Sequence, residues 1–484
     1  MTSLPDWLHQ RALISPERLA VVVGAERLSF GDLDRRATET ARWLKGQGVG
    51  EGDRVALLLG NGLPLVILVH ALSRIGAILV PFNTRLTHAE VRWQIVDVRA
   101  SLLIYDQFNA ASALAAGHDL PGFRALPVDT IALTSEEVQP SQFRLDAVHS
   151  ILYTSGTTGH PKGAMLTYGN HWWSAIGSAL NLGLQADDRW LACLPLFHVG
   201  GLAILLRSVI YGQPVIVHES FDPGAVNRAI DDEGVTIISM VSTMVQRTLE
   251  ARGDKPYPPA LRCILLGGGP APKPLLEDCA RRGVPVVQTY GLTEAASQVA
   301  TLSPEDARRK MGSAGKPLLP TELRIERDGV GAGMGEAGEI VIRGPTVTPG
   351  YADRPEANAD AFRDSWFHTG DIGYLDSEGY LYVLDRRDDL IISGGENVYP
   401  AEIESVLRSH PVVEEAGVIG MPDERWGQAP VAFVRVREAI SEADLKAFCA
   451  GRLAHYKVPT RIRFVETLPR NASGKLLRRK LSDL

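Results

Sequence analysis

Short runs of β-branched and other apolar residues alternate with stretches of helical periodicity over the first two thirds of the chain. The runs are RVALLL near 54–59, ILYT at 151–154, PVIV at 214–217, TIIS at 236–239, CILL at 263–266 and VPVVQ at 284–288. Continuous apolar strands separated by amphipathic helices are typical of parallel sheets with helices on their faces. The pattern predicts a layered α/β fold.

Two later segments have different patterns. Beyond Gly315 the chain contains strand pairs and turns, such as TELRIERDG, GEIVIRG and GYLYVLDRRDD, which predict a smaller β-rich lobe. From Asp388 onward, SGGENVYP leads into the helical PAEIESVLRSH, followed by a strand at VAFVRV and a helix near 441–455. We predict a large N-terminal domain at 1–387, with two α/β subdomains and the β-rich lobe. A small α+β C-terminal domain at 388–484 follows, with the charged DRRDD run as the hinge.

The composition limits the classes of function. The 484 residues are 45% hydrophobic and 22% charged, as in ordinary globular proteins, and a formal net charge of -7 offers no basic excess to recruit nucleic acid. The four cysteines include no C-x-x-C pair, so we predict neither a zinc site nor disulfides and favour the cytoplasm. We expect no export signal and no membrane span, and the sequence leaves a homo-oligomer open.

A loop rich in glycine and hydroxyl groups follows the strand ILYT and precedes the helical NHWWSAIGSAL. Its sequence is Tyr153-Thr154-Ser155-Gly156-Thr157-Thr158-Gly159-His160-Pro161-Lys162-Gly163. Backbone N–H groups and hydroxyls here can point at phosphate oxygens, and Lys162 can supply a positive charge. The G-x-x-x-x-G-K-[ST] order of kinases and common ATPases is absent, which weakens that interpretation. A flexible surface turn is the alternative.

This loop resembles the signature loop of the adenylate-forming superfamily of acyl-CoA synthetases, luciferases and peptide-synthetase adenylation domains. Other superfamily motifs follow in order and cover nearly the whole chain. TYGN, SALNLG, DRWLACLPLFHVGGLA, RCILLGGGPAP, GSAGKPL and LPRNASGKLLRR are most similar to the 2-succinylbenzoate-CoA ligases within it. The resemblance implies an AMP-forming ligase that uses ATP and Mg²⁺ to join 2-succinylbenzoate to CoA through an acyl-adenylate, in menaquinone biosynthesis.

A second signature follows the strand VPVVQ and reads Gln288-Thr289-Tyr290-Gly291-Leu292-Thr293-Glu294. By resemblance, Tyr290 lies against the adenine, Thr293 contacts the α-phosphate and Glu294 binds Mg²⁺. The residue types suit these roles, because an aromatic face stacks on a base and a hard carboxylate oxygen suits magnesium. A turn at the end of a strand, with a surface glutamate, is the alternative. The same expected ATP site includes Gln288 and Gly291.

By resemblance, a run of glycines and a predicted turn supply the remaining nucleotide contacts. Gly267-Gly268-Gly269-Pro270 follows CILL and by resemblance borders the adenine pocket, where glycines let the backbone approach a flat ligand. His368-Thr369-Gly370-Asp371 resembles the ribose-binding turn, in which Asp371 accepts hydrogen bonds from the ribose hydroxyls. Arg386 would complete that contact. Alone, each would be an ordinary turn or surface residue.

Lys475 lies close to the end of the chain, in Leu468-Pro469-Arg470-Asn471-Ala472-Ser473-Gly474-Lys475. It resembles the catalytic lysine of the superfamily, whose ammonium stabilises the charge that develops when the carboxylate attacks the α-phosphate. A solvated basic tail is the alternative, because LLRRK surrounds it.

The resemblance also implies that the small C-terminal domain takes two orientations. One orientation brings Lys475 to the adenylation site, and the other presents a glycine loop to CoA. Asp388 aligns with the pivot, and Ser393-Gly394-Gly395-Glu396-Asn397 aligns with the loop that lines the pantetheine tunnel. Glycine suits a tunnel wall, because a β-carbon would narrow the passage.

The acid pocket is expected near Pro195-Leu196-Phe197-His198-Val199-Gly200-Gly201. His198 resembles the pocket histidine that flanks the acyl carbonyl, although a lone histidine beside an apolar run is more often structural. The following helix, LAILLRSVIYG, carries one cation, Arg207. We predict that Arg207 pairs with the second carboxylate of 2-succinylbenzoate, which would otherwise be buried unpaired. Alternatively, Arg207 extends to solvent from the far side of its helix.

Two other functions stay open. One is an aryl- or medium-chain acid:CoA ligase of the same superfamily, which substrate profiling and the pocket cation would distinguish. The other is a non-catalytic adenylate-binding protein, against which the joint presence of Lys162, Glu294 and Lys475 argues.

Overall fold

The computed structural model describes residues 2–132, 136–139, 142–154, 161–269, 271, 273–327, 329–385, 391–469 and 478–484. The chain divides into two units. The larger consists of Met1–Thr84, Ile95–Leu152 and Gly163–Leu384, and the smaller of Arg85–Gln94, Tyr153–Lys162 and Asp385–Leu484. The domain boundary predicted at 387/388 lies outside the described residues, as does most of the DRRDD run.

Two large sheets confirm the predicted layered α/β pattern. The first contains seven strands within the described residues. Their spatial order is Gly350–Tyr351, Lys162–Thr167, Val148–Thr154, Ile78–Pro81, Arg54–Leu58, Leu102–Tyr105 and Arg124–Pro127. The pairings from Val148–Thr154 through Arg124–Pro127 are parallel. Gly350–Tyr351 adds an antiparallel edge to Lys162–Thr167.

The second sheet contains nine strands within the described residues. Their order is Lys316–Pro317, Ser297–Thr301, Val286–Leu292, Cys263–Leu266, Ile237–Met240, Trp190–Ala192, Val215–Val217, Leu19–Val23 and Glu26–Ser29. The pairings from Val286–Leu292 to Leu19–Val23 are parallel. Parallel strands end at the same edge, which is where α/β folds bind ligands. This edge leads into both the glycine run at 267–269 and the segment 195–198.

A β-rich lobe beyond Gly315 is confirmed. Its antiparallel strands are ordered Val330–Gly331, Glu322–Arg327, Gly338–Arg343, Trp366–Leu375 and Phe362–Arg363, with Leu381–Asp385 also paired to Trp366–Leu375. The segment 368–371, predicted as a turn, instead lies inside the strand Trp366–Leu375. Sheet pairing takes precedence there over the local preference of Gly370 and Asp371 for a turn. A separate pair joins Ser3–Pro5 to Gln142–Arg144.

Helices connect and cover these strands. In the part of the chain that the structure describes, the α-helices are Trp7–Ile14, Phe30–Gly46, Leu63–Arg74, His88–Asp97, Ala110–Gly117, Tyr168–Leu182, Val199–Tyr211, Pro223–Asp232, Ser242–Arg252, Lys273–Arg281, Pro355–Ala361, Pro400–Arg408 and Glu442–Ala450. Short 3₁₀ turns lie at Gln107–Asn109, Val128–Thr130, Thr293–Ala295, His455–Lys457 and Arg478–Asp483.

The helix predicted at NHWWSAIGSAL is confirmed as Tyr168–Leu182, but it does not follow the phosphate loop directly. The strand Lys162–Thr167 separates it from the phosphate loop. Its start is fixed by a capping box, in which Asn170 N–H donates to Thr167 Oγ at 3.0 Å and Thr167 N–H donates to Asn170 Oδ1 at 2.8 Å. The phosphate loop therefore leads into a strand.

The smaller unit confirms the predicted α+β pattern. Its sheet is ordered Glu396–Val398, Ile391–Ser393, Gly427–Val436 and Val413–Asp423, and Arg461–Phe464 pairs in parallel with Gly427–Val436. The helices Pro400–Arg408 and Glu442–Ala450 contribute Ile403, Leu407, Leu445 and Cys449 to its apolar core. The helix expected near 441–455 is shorter than predicted and ends at Ala450.

Candidate functional site

Tyr290 and Asp371, predicted from separate motifs to hold adenine and ribose, meet in the structure. The Tyr290 hydroxyl donates to Asp371 Oδ2 at 2.6 Å across 81 residues of sequence, and both side chains are buried. The strand Val286–Leu292 carries a bulge between Tyr290 and Gly291. Gly291 is required there, since a β-carbon would lie 1.8 Å from Ser297 O. The structure therefore joins the two predicted nucleotide motifs.

Glu339 holds the segment that carries Asp371. Its Oε1 accepts from Gly370 N–H at 2.8 Å, and its Oε2 lies 3.0 Å from His368 Nδ1. Thr369 Oγ donates to Ile340 O at 2.7 Å and accepts from Asp371 N–H at 3.0 Å. Sequence reasoning identified GEIVIRG as a strand but missed Glu339, because its partners lie about thirty residues away.

The glycine run packs against the Tyr290 strand. A β-carbon on Gly267 would lie 2.8 Å from Thr289 Cγ2, and Gly268 has a φ of +80°, which glycine adopts without strain. Gln288 Oε1 accepts from Gly312 N–H at 2.7 Å. The predicted adenine-side residues at 267–269 and 288–291 are therefore neighbours, while Pro270 lies outside the described residues.

Thr293 and Glu294 begin the 3₁₀ turn Thr293–Ala295. Ala296 and Ser297 follow with φ values of +52° and +109°, which residues with a β-carbon rarely adopt. Such conformations cost free energy and concentrate at functional sites. The Tyr351 hydroxyl donates to Glu294 Oε1 at 2.8 Å, and Thr348 N–H donates to Glu294 O at 2.7 Å.

The phosphate loop is described only at its two ends. Thr154 Oγ donates to Lys162 O at 3.4 Å, and Lys162 is the first residue of the strand Lys162–Thr167. Other predicted site residues lie outside the described residues, namely Ser155, Gly156, Thr157, Thr158, Gly159, Arg386, Asp388 and Lys475.

Arg207 is buried without a carboxylate partner among the described residues. It lies in the helix Val199–Tyr211, is 2% exposed, and its Nε has no hydrogen-bond partner there. Its Nη2 donates to Ser174 Oγ at 3.3 Å, and its Cζ lies 5.5 Å from the centroid of the Trp190 ring. Burial lowers the pKa of Arg207. The alternative that Arg207 extends to solvent is wrong.

His198 occupies the position before the first residue of the same helix, and its ring centroid lies 4.5 Å from that of Phe197. Arg207 lies nine positions further along the chain, a rise of about 13 Å along a helix axis. The two predicted acid-pocket residues are therefore placed at different depths along one helix. No direct contact between them is needed if they hold opposite ends of a ligand.

Two buried histidines were not predicted, namely His171 near Arg207 and His149 beside His171. His171 Nε2 lies 3.0 Å from Ser150 Oγ, and its ring centroid lies 4.8 Å from that of His149. Burial, with a smaller contribution from the charge of Arg207, lowers the pKa of His171 to about 3. Burial also lowers the pKa of His149. These imidazoles are neutral at physiological pH, so they add no further positive charge to this buried region.

The predicted CoA loop forms a tight hairpin between Ile391–Ser393 and Glu396–Val398. Gly394 and Gly395 have φ values of +59° and +86°. A β-carbon on Gly394 would lie 2.5 Å from Cε3 of Trp426. The turn and the Trp426 ring are therefore sufficient reasons for glycine here, whether or not CoA passes this loop.

Comparison with known proteins identifies the family. The profile described as "AMP-binding enzyme" matches residues 8–352, and that of the "AMP-binding enzyme C-terminal domain" matches residues 402–475. The chain belongs to the AMP-binding enzyme family.

Relatives within the AMP-binding enzymes match over the full length. The 2-succinylbenzoate--CoA ligase of Geobacillus kaustophilus (strain HTA426) is 56% identical, covering 100% of this chain and 98% of the relative. A double mutant of o-succinylbenzoate CoA synthetase from Bacillus subtilis, bound with its product analogue OSB-NCoA, is 46% identical with a TM-score of 0.95. The Bacillus subtilis enzyme in complex with the acyl-adenylate intermediate OSB-AMP is also 46% identical, with a TM-score of 0.78. Each of these two matches covers 100% of this chain and 99% of the Bacillus subtilis chain.

The magnesium site expected of an AMP-binding enzyme fits Glu294. Across the described residues there is no group of three His, Cys, Asp or Glu side chains able to hold a metal. Magnesium bound together with a nucleotide needs only one or two carboxylates, because phosphates and water complete its coordination. The one carboxylate at Glu294, which is held by Tyr351, meets that requirement.

No described helix is long and apolar enough to cross a membrane.

Proposed function

We propose that this AMP-binding enzyme joins 2-succinylbenzoate to CoA in two half-reactions. The acid carboxylate attacks the α-phosphorus of ATP, forming the acyl-adenylate and releasing pyrophosphate. The CoA thiol then attacks the acyl carbonyl, forming the thioester and releasing AMP. ATP and Mg²⁺ are required for the first half-reaction and CoA is the substrate of the second. We assign the product to menaquinone biosynthesis. Neither step needs a nucleophilic side chain.

The described nucleotide residues support the first half-reaction. Tyr290 presents an aromatic ring for adenine, and its hydroxyl orients Asp371 for the ribose hydroxyls. Glu339 holds the segment just before Asp371 by contacting the His368 ring and the Gly370 N–H. An adenosine site in which these residues are already positioned loses little conformational entropy on binding. When bound, Mg²⁺ at Glu294 neutralises phosphate charge.

The burial of Arg207 without a carboxylate partner among the described residues is the observation that supports 2-succinylbenzoate as the acid. An isolated buried cation costs free energy unless an anion compensates it, and the described residues supply none. Benzoate and medium-chain acids bring only the carboxylate that is consumed in the reaction. 2-Succinylbenzoate brings a second carboxylate, which we assign to Arg207, with His198 at the acyl carbonyl.

The second half-reaction is proposed from the sequence motifs. Lys475 serves adenylation, Asp388 is the pivot between the domains at 1–387 and 388–484, and the Ser393-Gly394-Gly395 hairpin lines the CoA path. Ser155, Gly156, Thr157, Thr158, Gly159 and Lys162 hold the triphosphate in the same proposal. A cytoplasmic location, predicted from the widely spaced cysteines, belongs to it as well.

A panel of acids tests the function. The purified protein is assayed for AMP release with ATP, Mg²⁺ and CoA, using 2-succinylbenzoate, benzoate, 4-chlorobenzoate and octanoate. We expect the highest kcat/KM with 2-succinylbenzoate. A higher value with benzoate or octanoate would establish the aryl- or medium-chain ligase instead, and an absence of acid-dependent pyrophosphate exchange would establish a non-catalytic binding protein.

A further inference from the structure

Tyr351 contacts the carboxylate to which we assign the magnesium ion. Its hydroxyl donates to Glu294 Oε1 at 2.8 Å across 57 residues of sequence, and its side chain is buried. Three residues earlier in the chain, Thr348 N–H donates to Glu294 O at 2.7 Å. The segment 348–351 therefore holds both the backbone and the side chain of Glu294.

The backbone of Tyr351 is itself held by contacts with Asn358 and with a neighbouring strand. Its N–H donates to Asn358 Oδ1 at 2.7 Å, and Asn358 Nδ2 donates to its carbonyl at 3.0 Å. Gly350 has a φ of +141°, and a β-carbon there would lie 2.8 Å from Asn358 Oδ1. Gly350–Tyr351 also pairs with the strand Lys162–Thr167, with Tyr351 opposite Ala164. The backbone that carries the phenol is thus held in place.

The same segment ties Glu294 to the strand that leaves the phosphate loop. Thr348 Oγ donates to Met165 O, and Ala352 N–H donates to Gly163 O at 2.8 Å. Gly163 is the residue after Lys162, the cation expected to contact phosphate. Two parts of the expected triphosphate site, distant in sequence, therefore share one structural support.

We propose that Tyr351 is a positioning residue for the magnesium-binding carboxylate Glu294. The inference rests on the proposed function, in which Mg²⁺ enters with ATP. A hydrogen bond to one carboxylate oxygen fixes the rotation of the group and thus the direction of the other oxygen. Mg²⁺ tolerates little departure from octahedral geometry, and loss of such an outer partner typically costs 10- to 100-fold in metal affinity. Tyr351 contacts neither the adenine nor the acid in this assignment.

The test variant is Tyr351→Phe, which removes the hydroxyl and retains the ring. Tyr380→Phe is a matched control, because Tyr380 is also buried and its hydroxyl donates to a carboxylate, Asp306 Oδ2, at 2.5 Å. Asn358→Ala is a second variant that keeps the Tyr351 hydroxyl but loosens the backbone that places it.

Binding of α,β-methylene-ATP is measured by isothermal titration calorimetry over a series of Mg²⁺ concentrations, so the readout does not depend on turnover. For Tyr351→Phe we expect the Mg²⁺ concentration that gives half of the maximal affinity gain to rise about tenfold. Binding without Mg²⁺ should be unchanged. Asn358→Ala should shift in the same direction and Tyr380→Phe should not shift. Thioester formation from synthetic acyl-adenylate and CoA, which needs no triphosphate, should remain at the wild-type rate in Tyr351→Phe.

A wild-type Mg²⁺ dependence in Tyr351→Phe would overturn the inference. So would an equal loss of nucleotide binding with and without Mg²⁺, which would make Tyr351 a general packing residue. Failure of the wild-type protein to form an acyl-adenylate would refute the proposed function separately, because the calorimetric Mg²⁺ dependence is measured without the acid or any turnover.

Discussion

Replacing Arg207 by methionine removes a buried guanidinium while retaining much of the side-chain volume. Arg207 is 2% exposed and its nearest polar contact is Ser174 Oγ at 3.3 Å. No carboxylate of the described residues would be left unpaired by its loss. The free protein should therefore tolerate the change, and Tm should stay the same or rise, because an uncompensated charge is removed. The cost should appear only when a dicarboxylate binds.

The magnitude follows from the charged hydrogen bonds that the second carboxylate would lose. A hydrogen bond to a charged group contributes roughly 1.5–3 kcal/mol, so kcat/KM for 2-succinylbenzoate should fall about ten- to hundred-fold. Benzoate and 4-chlorobenzoate lack the second carboxylate, so their values should change little. Arg207→Lys should retain part of the selectivity, because the charge remains but the guanidinium geometry is lost.

The assay is AMP release with CoA for each acid, and the decisive quantity is the ratio of kcat/KM for 2-succinylbenzoate to that for benzoate. Arg252→Met is the control. Arg252 is a buried arginine that does have a carboxylate partner, with Nη2 2.8 Å from Asp231 Oδ1. Its loss should lower Tm and leave the ratio unchanged. A wild-type ratio in Arg207→Met would refute the assignment of Arg207 to the second carboxylate.

Three further predictions concern the lysine, the pivot and pH. Lys475→Ala should abolish acid-dependent pyrophosphate exchange but spare thioester formation from synthetic acyl-adenylate; equal loss in both assays would make Lys475 a general binding residue. Asp388→Pro should leave pyrophosphate exchange measurable and suppress CoA transfer, because proline fixes φ and removes a backbone donor; a wild-type rate of thioester formation from the adenylate would exclude the pivot. Burial lowers the pKa of His171 from 6.5 to about 3, so its neutral form stabilises the fold above pH 6.5 and that stability is lost as the pH falls toward 3. Between these pH values the contribution of His171 to the free energy of unfolding falls by about 1.4 kcal/mol per pH unit. Calorimetry should therefore show that Tm falls less steeply below pH 6.5 in His171→Asn than in the wild type.

Local pattern was sufficient for four strands of the two large sheets. The runs at 54–59, 214–217, 236–239 and 263–266 were all confirmed as strands within a residue or two of their predicted ends. Their apolar side chains are buried on both faces of parallel sheets, which leaves a strong signal in the sequence. The segment 288–292 was placed after a strand but lies within one, because its antiparallel partner Ser297–Thr301 could not be inferred from either segment alone.

By itself, the sequence determined the fold class, the order of the motifs and the residue types available for each chemical role. Only the tertiary structure decided which side chains meet. It showed that Tyr290 reaches Asp371, that Glu339 and Tyr351 hold the predicted site residues, and that Arg207 is buried without a described counter-charge. The reason is physical. Strand and helix propensities act over a few neighbouring residues, whereas these contacts join segments about 30 to 80 residues apart and depend on sheet register and side-chain packing.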